Sequence, residues 1–401
     1  MPTTRVHFRA GFAALDLTPD PLVRPVDLSG YVDRVQPVVG VRDRLRAAVL
    51  AVGAAGEEPL ALVGLDLCIL GPRAVVALRA ACPLPAERLL LCCSHTHAAP
   101  ATYPLLGCGV PDPVYEAWLA ARVGAALRRA LAEMAPCRLG WGRRTLEAAP
   151  WSNRRDPAGA TDPRLHLLKV ERADSARTPI CGVWSAACHP VVLGADNRFV
   201  SADWVGQVAR DLPWPSLFLQ GFCGDQNPRR RGADALAAWV PLAGALRALW
   251  DGTPTANAGA WGWRHGGLAL PRLPSDAVPA AAGTEAPAAR AMARWAGEVA
   301  TPGQAVAPTP AEVTAWRVHN GSAVFWPGEP HCAHAAVLPA SCLGVGHTGP
   351  SVGYVPERAA YERPGYEVGL AHRYYGFPSA LAPEAGELLA ATSLEWLAAL
   401  G

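Results

Sequence analysis

The sequence lacks an apolar run long enough to cross a membrane. Its longest purely apolar stretches, such as residues 47–55, fall far short of the roughly 18 residues that a membrane-spanning helix needs. The N-terminal segment also has no uninterrupted apolar stretch before Asp16, which a secretory signal would require. We therefore predict a cytoplasmic protein without an integral membrane segment.

An excess of charge of either sign is also missing. The 36 Lys and Arg residues nearly balance the 34 Asp and Glu residues, and no dense basic tract is interleaved with aromatic side chains. This pattern argues against nucleic acid as a partner. Because 51% of the 401 residues are hydrophobic and only 17% are charged, the composition predicts a globular protein with a large core and excludes a disordered one.

Several motifs of common enzyme classes are absent. The chain has eleven cysteines but no C-x-x-C pair, and most of them lie in apolar, strand-like runs where a thiol behaves as a small hydrophobic group. We therefore expect neither a disulfide framework nor a cysteine zinc site. The phosphate-binding motif G-x-x-x-x-G-K-[ST] and a strand-linked G-x-G-x-x-G are both absent, so we predict no nucleotide cofactor. The motif G-x-S-x-G is absent as well, so we predict no serine hydrolase of that type.

What the sequence does contain is an alternation of strand-like and helix-like segments. Short apolar runs with β-branched residues alternate with Ala-, Leu- and Arg-rich stretches at helical spacing, which predicts an α/β fold with a mixed β-sheet core flanked by helices. We predict helices over residues 115–134, 234–249 and 384–400, the second kinked or divided at Pro241. The Ala- and Pro-rich residues 268–310 indicate a connective surface insertion with one helix, within a single domain of residues 1–401.

A carboxylate or an imidazole stands at the end of each of five strand-like runs. In open α/β sheets ligands bind outside the carboxyl ends of the strands, so we expect these ends to face one crevice. The side chains are Asp66, His95 with His97, His189, Asp225 and Glu329.

Three of these ends favour a metal site. His95 and His97 are two residues apart and would leave one face of a continuing strand, while His189 and Glu329 would complete a partial cage of the kind that Zn²⁺ accepts. An isolated H-x-H pair can equally be a hydrogen-bonded core or surface pair. Asp66 and Asp225 have two open interpretations: each caps a turn, or each orients a ligand histidine.

Other polar residues have less support. His331 and His334 follow Glu329 closely and could line the same cleft, and His347 is a candidate substrate contact. The arginine run 229–231 could bind a carboxylate or phosphate of the substrate, although a solvated run is the simpler interpretation.

Short segments of the chain, taken in order, resemble the neutral/alkaline (non-lysosomal) ceramidase family. The resemblance extends over nearly the whole sequence and includes SHTHAAP, ACHP, GFCGDQNP and PGEP. The matching residues are 10–19, 28–31, 41–47, 94–100, 153–154, 187–190, 201–203, 221–228, 327–330, 353–361 and 366–367.

The resemblance implies a single zinc ion and a set of ligands. Carried over residue by residue, the ligands are His95, His189, Glu329 and Tyr354. The strand ends point independently to the first three, whereas Tyr354 comes from the resemblance alone.

The resemblance also implies how the site works. A zinc-bound water would attack an amide carbonyl. His97 would act as a proton acceptor or substrate hydrogen-bond donor, and Arg154 would polarise the scissile carbonyl.

The chain departs from the family's pattern in four places. Asn227 stands where the ceramidases have a serine, so it cannot act as nucleophile or proton relay, but its amide can donate a hydrogen bond to an oxyanion. Ala98-Ala99 replaces Ser-Gly after H-T-H. The family's C-terminal immunoglobulin-like domain and secretion signal are not expected here. Together these departures favour a small soluble substrate over long-chain ceramide.

We therefore predict a zinc-dependent amidohydrolase that cleaves a linear amide bond of a small molecule. One alternative is metal-assisted acyl transfer, amide formation or ester or lactone opening in specialised metabolism. Another is a non-catalytic binding protein, against which the retained cluster of ionisable groups counts, because such groups are costly to bury unless they are paired or metal-bound.

Overall fold

The computed structural model describes residues 6–21, 23–275, 286–300 and 302–401. The strands are β1 (Val6–Asp16), β2 (Gly40–Val41), β3 (Arg46–Ala54), β4 (Leu60–Leu65), β5 (Leu89–Cys93), β6 (Ala135–Thr145), β7 (Trp151–Asn153), β8 (Arg164–Arg172), β9 (Pro179–Ala186), β10 (Phe199–Val200), β11 (Ser216–Gln220), β12 (Gln226–Pro228), β13 (Ala258–Gly259), β14 (Trp261–Leu270), β15 (Thr309–Val318), β16 (Gly321–Phe325), β17 (Glu329–Pro330), β18 (Cys342–Val345) and β19 (Tyr354–Val355). The α-helices are α1 (Pro72–Ala81), α2 (Pro113–Ala132), α3 (Asp203–Arg210), α4 (Val240–Gly252), α5 (Pro287–Glu298), α6 (Tyr366–Gly369), α7 (Ala371–Tyr374) and α8 (Pro383–Ala399).

Nine strands form one large mixed sheet, as the alternation of segments predicts. Its order is β11-β9-β8-β6-β1-β3-β4-β5, with β13 attached to β1. The pairs β9–β11 and β4–β5 are parallel, whereas the neighbours between them are antiparallel. The sheet is strongly curled, and this brings β4 close to β11: a Cβ on Gly64 of β4 would lie only 3.0 Å from the carbonyl oxygen of Phe218 in β11. The C-terminal ends of β5, β9 and β11 are thereby brought close together.

A second sheet of four strands, β14-β15-β16-β18, packs against the first. Side chains of both sheets share one buried cluster, which includes Leu62 and Leu217 from the large sheet and Trp316 and Phe325 from the small one. Helices α1 and α2 cover the opposite face of the large sheet around Leu119. The predicted fold class, a mixed sheet flanked by helices, is therefore confirmed.

The predicted helices are present with small shifts at their ends. Helix α2 begins at Pro113 because the side chain of Asp112 accepts a hydrogen bond from the Val114 N–H and so caps the first turn. The second predicted helix is divided as expected: a 3₁₀ segment covers Ala233–Trp239, and α4 follows with Pro241 in its first turn. No helix in the described ranges is long and apolar enough to cross a membrane.

The Ala- and Pro-rich segment is shorter than predicted. Residues 268–270 and 309–311 belong to the antiparallel β14–β15 pair, since Leu268 pairs with Ala311 and Leu270 with Thr309. The compositional bias hid these strand ends, because Ala and Pro carry little β-strand signal. The one predicted helix is α5, which buries Trp295. Residues 276–285 and 301 of the predicted insertion lie outside the described residues.

Candidate metal centre

A buried glutamine holds three strand ends together. Gln220, the last residue of β11, is fully buried, and its Nε2 donates to the carbonyl oxygens of Ser94 and Cys188 at 2.9 Å each. These carbonyls directly precede His95 and His189. Strands β5 and β9, which are not neighbours in the sheet, therefore present their histidines to the same space.

Three of the predicted ligands converge there. The Oε2 atom of Glu329 lies 3.2 Å from His95 Nε2 and 3.1 Å from His189 Nε2. All three residues are at most 2% exposed. A backbone carbonyl fixes the orientation of each histidine ring, because Nδ1 of His95 donates to the Cys68 carbonyl at 2.9 Å and Nδ1 of His189 donates to the Gln226 carbonyl at 3.0 Å.

The charges and lone pairs of this cluster favour the binding of a cation. With both Nδ1 atoms acting as donors, each Nε2 turns a lone pair toward a carboxylate oxygen, so three electron-rich atoms face one another. Burial opposes a charge on His95, but the attraction of Glu329 outweighs it and raises the pKa of His95 to about 10. For His189, in contrast, burial prevails and lowers the pKa to about 4. A proton on His95 is one way to relieve the repulsion, and a metal ion with N and O ligands is the other, so the donor set fits zinc.

Tyr354 reaches the cluster through a short parallel strand pair. Strands β17 and β19 pair in a register that sets Tyr354 beside Glu329. Nη2 of Arg154 donates to the Tyr354 hydroxyl at 3.1 Å, and Nε of Arg154 donates to Glu367 at 2.8 Å. Burial raises the pKa of the Tyr354 phenol well above its ordinary value, and the Arg154 guanidinium opposes that rise. Both residues that the resemblance added therefore lie at the cluster.

His97 also joins the cluster, but not by the predicted route. Strand β5 ends at Cys93, and His95 has a left-handed backbone with φ of 70°, so the two histidines do not follow from strand alternation. The turn nevertheless brings His97 Nε2 to 3.2 Å from His95 Nε2. Burial, followed by the neighbouring His95, lowers the pKa of His97 well below its ordinary value, so the ring is neutral at pH 7.

Asn227 lies in β12, one residue after the carbonyl that orients His189. In the amide orientation that satisfies both of its polar atoms, Nδ2 donates to the Gln226 carbonyl at 3.3 Å and Oδ1 accepts from Arg231 Nη2 at 2.9 Å. The second N–H of the amide has no partner among the described residues. The predicted catalytic residues His97, Arg154 and Asn227 thus all border the three-ligand cluster or its supporting loop.

Two of the five strand ends do not serve the cluster. Asp66 Oδ2 accepts from the backbone N–H of Arg46 at 2.9 Å, and Asp225 accepts from the Cys332 N–H at 2.9 Å and from Asn153 Nδ2 at 2.7 Å. Within the described ranges neither carboxylate hydrogen-bonds to a predicted ligand histidine. Of the two interpretations left open, the structure supports the fixing of a turn, and backbone carbonyls orient the ligands instead.

The remaining histidines near Glu329 separate into two environments. His331 Nδ1 contacts the carboxylate of Glu357, and His334 packs against Trp326 with 5.5 Å between ring centroids. His347 stacks on His95, with centroids 3.9 Å apart and planes at 22°. Because their ring planes are nearly parallel, the in-plane lone pairs of His95 and His347 run side by side and do not converge on one ion. His347 supports His95 rather than extending the ligand set.

Sequence reasoning missed two tyrosines beside the cluster. The hydroxyl of Tyr375 donates to Glu329 Oε1, although 46 residues separate the two and no motif marks Tyr375. Tyr366 belongs to a segment of the family resemblance and meets Tyr354 edge-on at 5.8 Å. Together with Arg154, Arg155, Arg363, Gly365 and Glu367, Tyr366 lines a pocket of about 460 Å³ that opens next to Tyr354.

Solved structures resemble this chain over almost its whole length. No family model and no curated protein sequence matches it. The neutral ceramidase of Pseudomonas aeruginosa superposes with a TM-score of 0.76 at 17% sequence identity, covering 98% of this chain and 74% of that one. A ceramidase structure in complex with C2 gives a TM-score of 0.76 at 15% identity, covering 98% of this chain and 75% of the other. The chain therefore has the fold of neutral ceramidase.

Proposed function

We propose that this protein is a zinc-dependent amidohydrolase of the ceramidase family that cleaves a linear amide bond in a small soluble substrate. The observation that carries the proposal is the convergence of two oriented imidazole nitrogens and a buried carboxylate oxygen at 3.1 and 3.2 Å. The resemblance of the fold to two ceramidase structures supports the choice of an amide.

His95, His189, Glu329 and Tyr354 would hold the metal. The guanidinium of Arg154 favours an ionised phenol at Tyr354, which is the form of tyrosine that binds a metal. A bound zinc ion would supply Lewis-acid polarisation and lower the pKa of a water molecule.

The remaining chemistry belongs to the side chains around the ligands. Hydrolysis forms a bond from a water oxygen to the carbonyl carbon, breaks the C–N bond and requires a proton on the leaving nitrogen. His97 is neutral and half-buried, so its Nε2 accepts the proton of water and then returns it to the leaving amine. Arg154 and the uncommitted amide N–H of Asn227 stabilise the negative charge on the substrate oxygen.

Metal content and hydrolysis, measured together, test the ligand set. We expect about one equivalent of zinc by elemental mass spectrometry and release of amine from a panel of N-acyl compounds. His189→Ala should lose both. His265→Ala is the matched control, because His265 lies in β14 and contacts Thr314 at 2.9 Å, away from the cluster. Undiminished hydrolysis in His189→Ala would contradict the proposal.

A second comparison tests the role of Arg154. Arg154 and Arg155 both pair with Glu367, but only Arg154 also contacts Tyr354. Loss of one preorganised donor typically costs about 10²–10³-fold in kcat, so we expect a fall of that size for Arg154→Ala with a smaller change in KM. Arg155→Ala should lower kcat far less. Equal losses of kcat in the two variants would show that catalysis depends on the ion pair with Glu367 and not on a contact between Arg154 and the substrate.

A further inference from the structure

A second group of polar side chains lies next to the residues that border the metal centre. Arg231 is exposed and donates to Asn227 Oδ1 at 2.9 Å. No carboxylate of the described residues lies within 4.0 Å of its guanidinium nitrogens. The positive charge of Arg231 is therefore not neutralised inside the described part of the protein.

Tyr31 faces the same place with an unused hydroxyl. Its ring meets the ring of His97 edge-on, with centroids 5.0 Å apart. Its Oη atom is buried and has no hydrogen-bond partner among the described residues. Arg34 stacks on the Tyr31 ring at 4.9 Å and donates to the Gly194 carbonyl, and two residues earlier the Val192 carbonyl accepts from the N–H of Gly232, so the chain next to Arg231 passes close to the phenol. Burial raises the pKa of Tyr31 to about 12, and the charge of Arg231 opposes the rise. A buried donor without a partner is costly unless a ligand satisfies it.

The other arginines around the centre are already engaged. Arg34 donates to the backbone carbonyls of Ser29, His97 and Gly194, and so ties three loops together. Arg154 and Arg155 share the carboxylate of Glu367. Arg34 also keeps its charge, but it is half-buried and its donors are committed to carbonyl oxygens, whereas Arg231 is exposed and open to a ligand.

We infer that Tyr31 and Arg231 bind a carboxylate of the substrate, while Asn227 holds the guanidinium in place. A guanidinium and a phenol together offer several donors and one positive charge, which matches a monoanionic carboxylate better than a dianionic phosphate. The substrate class is then an amide that carries a carboxylate close to the scissile bond, as N-acyl amino acids do. The inference rests on the proposed function, because it assigns the substrate of that same site.

Asn227 positions the charge of Arg231 without cancelling it. An amide at position 227 can accept from Arg231 and donate to Gln226 at the same time, and it holds the guanidinium in place without a counter-charge. A carboxylate at position 227 would neutralise Arg231 and repel an anionic substrate.

The experiment compares matched ligands in binding and in hydrolysis. N-acyl amino acids of several acyl lengths and their carboxamides are titrated calorimetrically into the zinc-loaded protein, and amine release is followed for both series. We expect the carboxylates to bind about 10–100-fold more tightly than the carboxamides, the range of a charge-assisted hydrogen bond. Arg231→Ala should reduce this ratio to near unity, and Arg231→Lys should keep part of it.

Arg230→Ala is the matched control, because Arg230 is an exposed neighbour in the same run and should leave the ratio unchanged. Equal binding of the two ligands by the unmodified protein, or no binding of either, would overturn the inference. So would a preference for the carboxylate that survives in Arg231→Ala. If the carboxylates bind preferentially and neither series is hydrolysed, the inference stands and the proposed hydrolysis fails.

Discussion

At the level of single residues, buried histidines do two different things in this protein. His95, His97 and His189 form one cluster with Glu329, so the protonation of each depends on the others. His166 lies apart from them in β8 and is only 5% exposed. Burial, followed by the nearby Arg164, lowers the pKa of His166 to about 4.

His166 should therefore make the fold sensitive to acid. Its pKa in the folded protein lies below the ordinary value of 6.5, so the unfolded chain binds the extra proton between these values. The stabilisation is complete above pH 6.5 and is lost as the pH falls to about 4. Relative to His166→Leu, we expect the free energy of unfolding of the unmodified protein to drop by about 3 kcal/mol over this range.

Urea unfolding of both proteins at several pH values between 4 and 7 measures the difference. Protonation of the metal ligands affects both proteins alike and cancels in the comparison. Parallel curves would contradict a depressed pKa at His166.

The residues that sequence reasoning found share one property. His95, His189 and Glu329 stand directly after apolar runs, and a polar side chain at the end of a buried strand is visible in the sequence alone. Gln220 and Tyr375 are equally close to the centre but follow no such pattern. Their roles depend on the curl of the sheet and on α7, which only the folded chain reveals.

At the level of elements, glycines show how closely the helices approach their neighbours. Gly124 lies inside α2, and a Cβ there would be 2.3 Å from the carbonyl oxygen of Ala81 at the end of α1. Gly244 lies inside α4, where a Cβ would meet only the end of the Arg247 side chain at 3.8 Å. The two positions have the same helical backbone and opposite surroundings.

Replacing each glycine with alanine should have opposite effects on stability. Alanine favours a helix over glycine by about 1 kcal/mol, so Gly244→Ala should raise the free energy of unfolding by roughly that amount. Gly124→Ala should lower it by about 1–3 kcal/mol, because the backbone of α1 must move away. Denaturant unfolding monitored by circular dichroism measures both. A stabilising Gly124→Ala would show that α1 and α2 are not in this close contact.

The elements were predictable to the extent that they are long and periodic. The helices over residues 115–134 and 384–400 repeat their apolar residues often enough to be recognised, and both are present as α2 and α8. Strands β17 and β19 have two residues each, too few for any period, yet their pairing sets Tyr354 beside Glu329. Tyr354 is therefore predicted from the family resemblance, because the local sequence pattern does not mark it.

At the level of the whole molecule, the proposed metal would join distant parts of the chain. His95 and His189 come from the large sheet, whereas Glu329 and Tyr354 follow the strands of the small one. A ligand that binds only the folded protein stabilises it by about 4 kcal/mol when its free concentration is a thousand times Kd. The metal should therefore stabilise the contact between the two sheets.

Metal removal provides the measurement. We expect a chelator to lower the calorimetric Tm of the zinc-loaded protein and to leave the Tm of His189→Ala unchanged. The metal-free fold should persist at neutral pH, since a protonated His95 pairs with Glu329. An unchanged Tm after confirmed metal loss would mean that the ion does not link the sheets.

The pairing of β17 with β19 also matters while the chain is being made. Tyr354 lies in the last eighth of the 401 residues to be translated, long after His95 and His189. At ordinary synthesis rates, roughly 10–30 s separate the emergence of residue 189 from that of residue 354. During that interval the nascent chain offers two imidazoles without the phenol that completes the predicted set. A metal that needs all four donors would therefore find its complete site only when the ribosome has almost finished the protein.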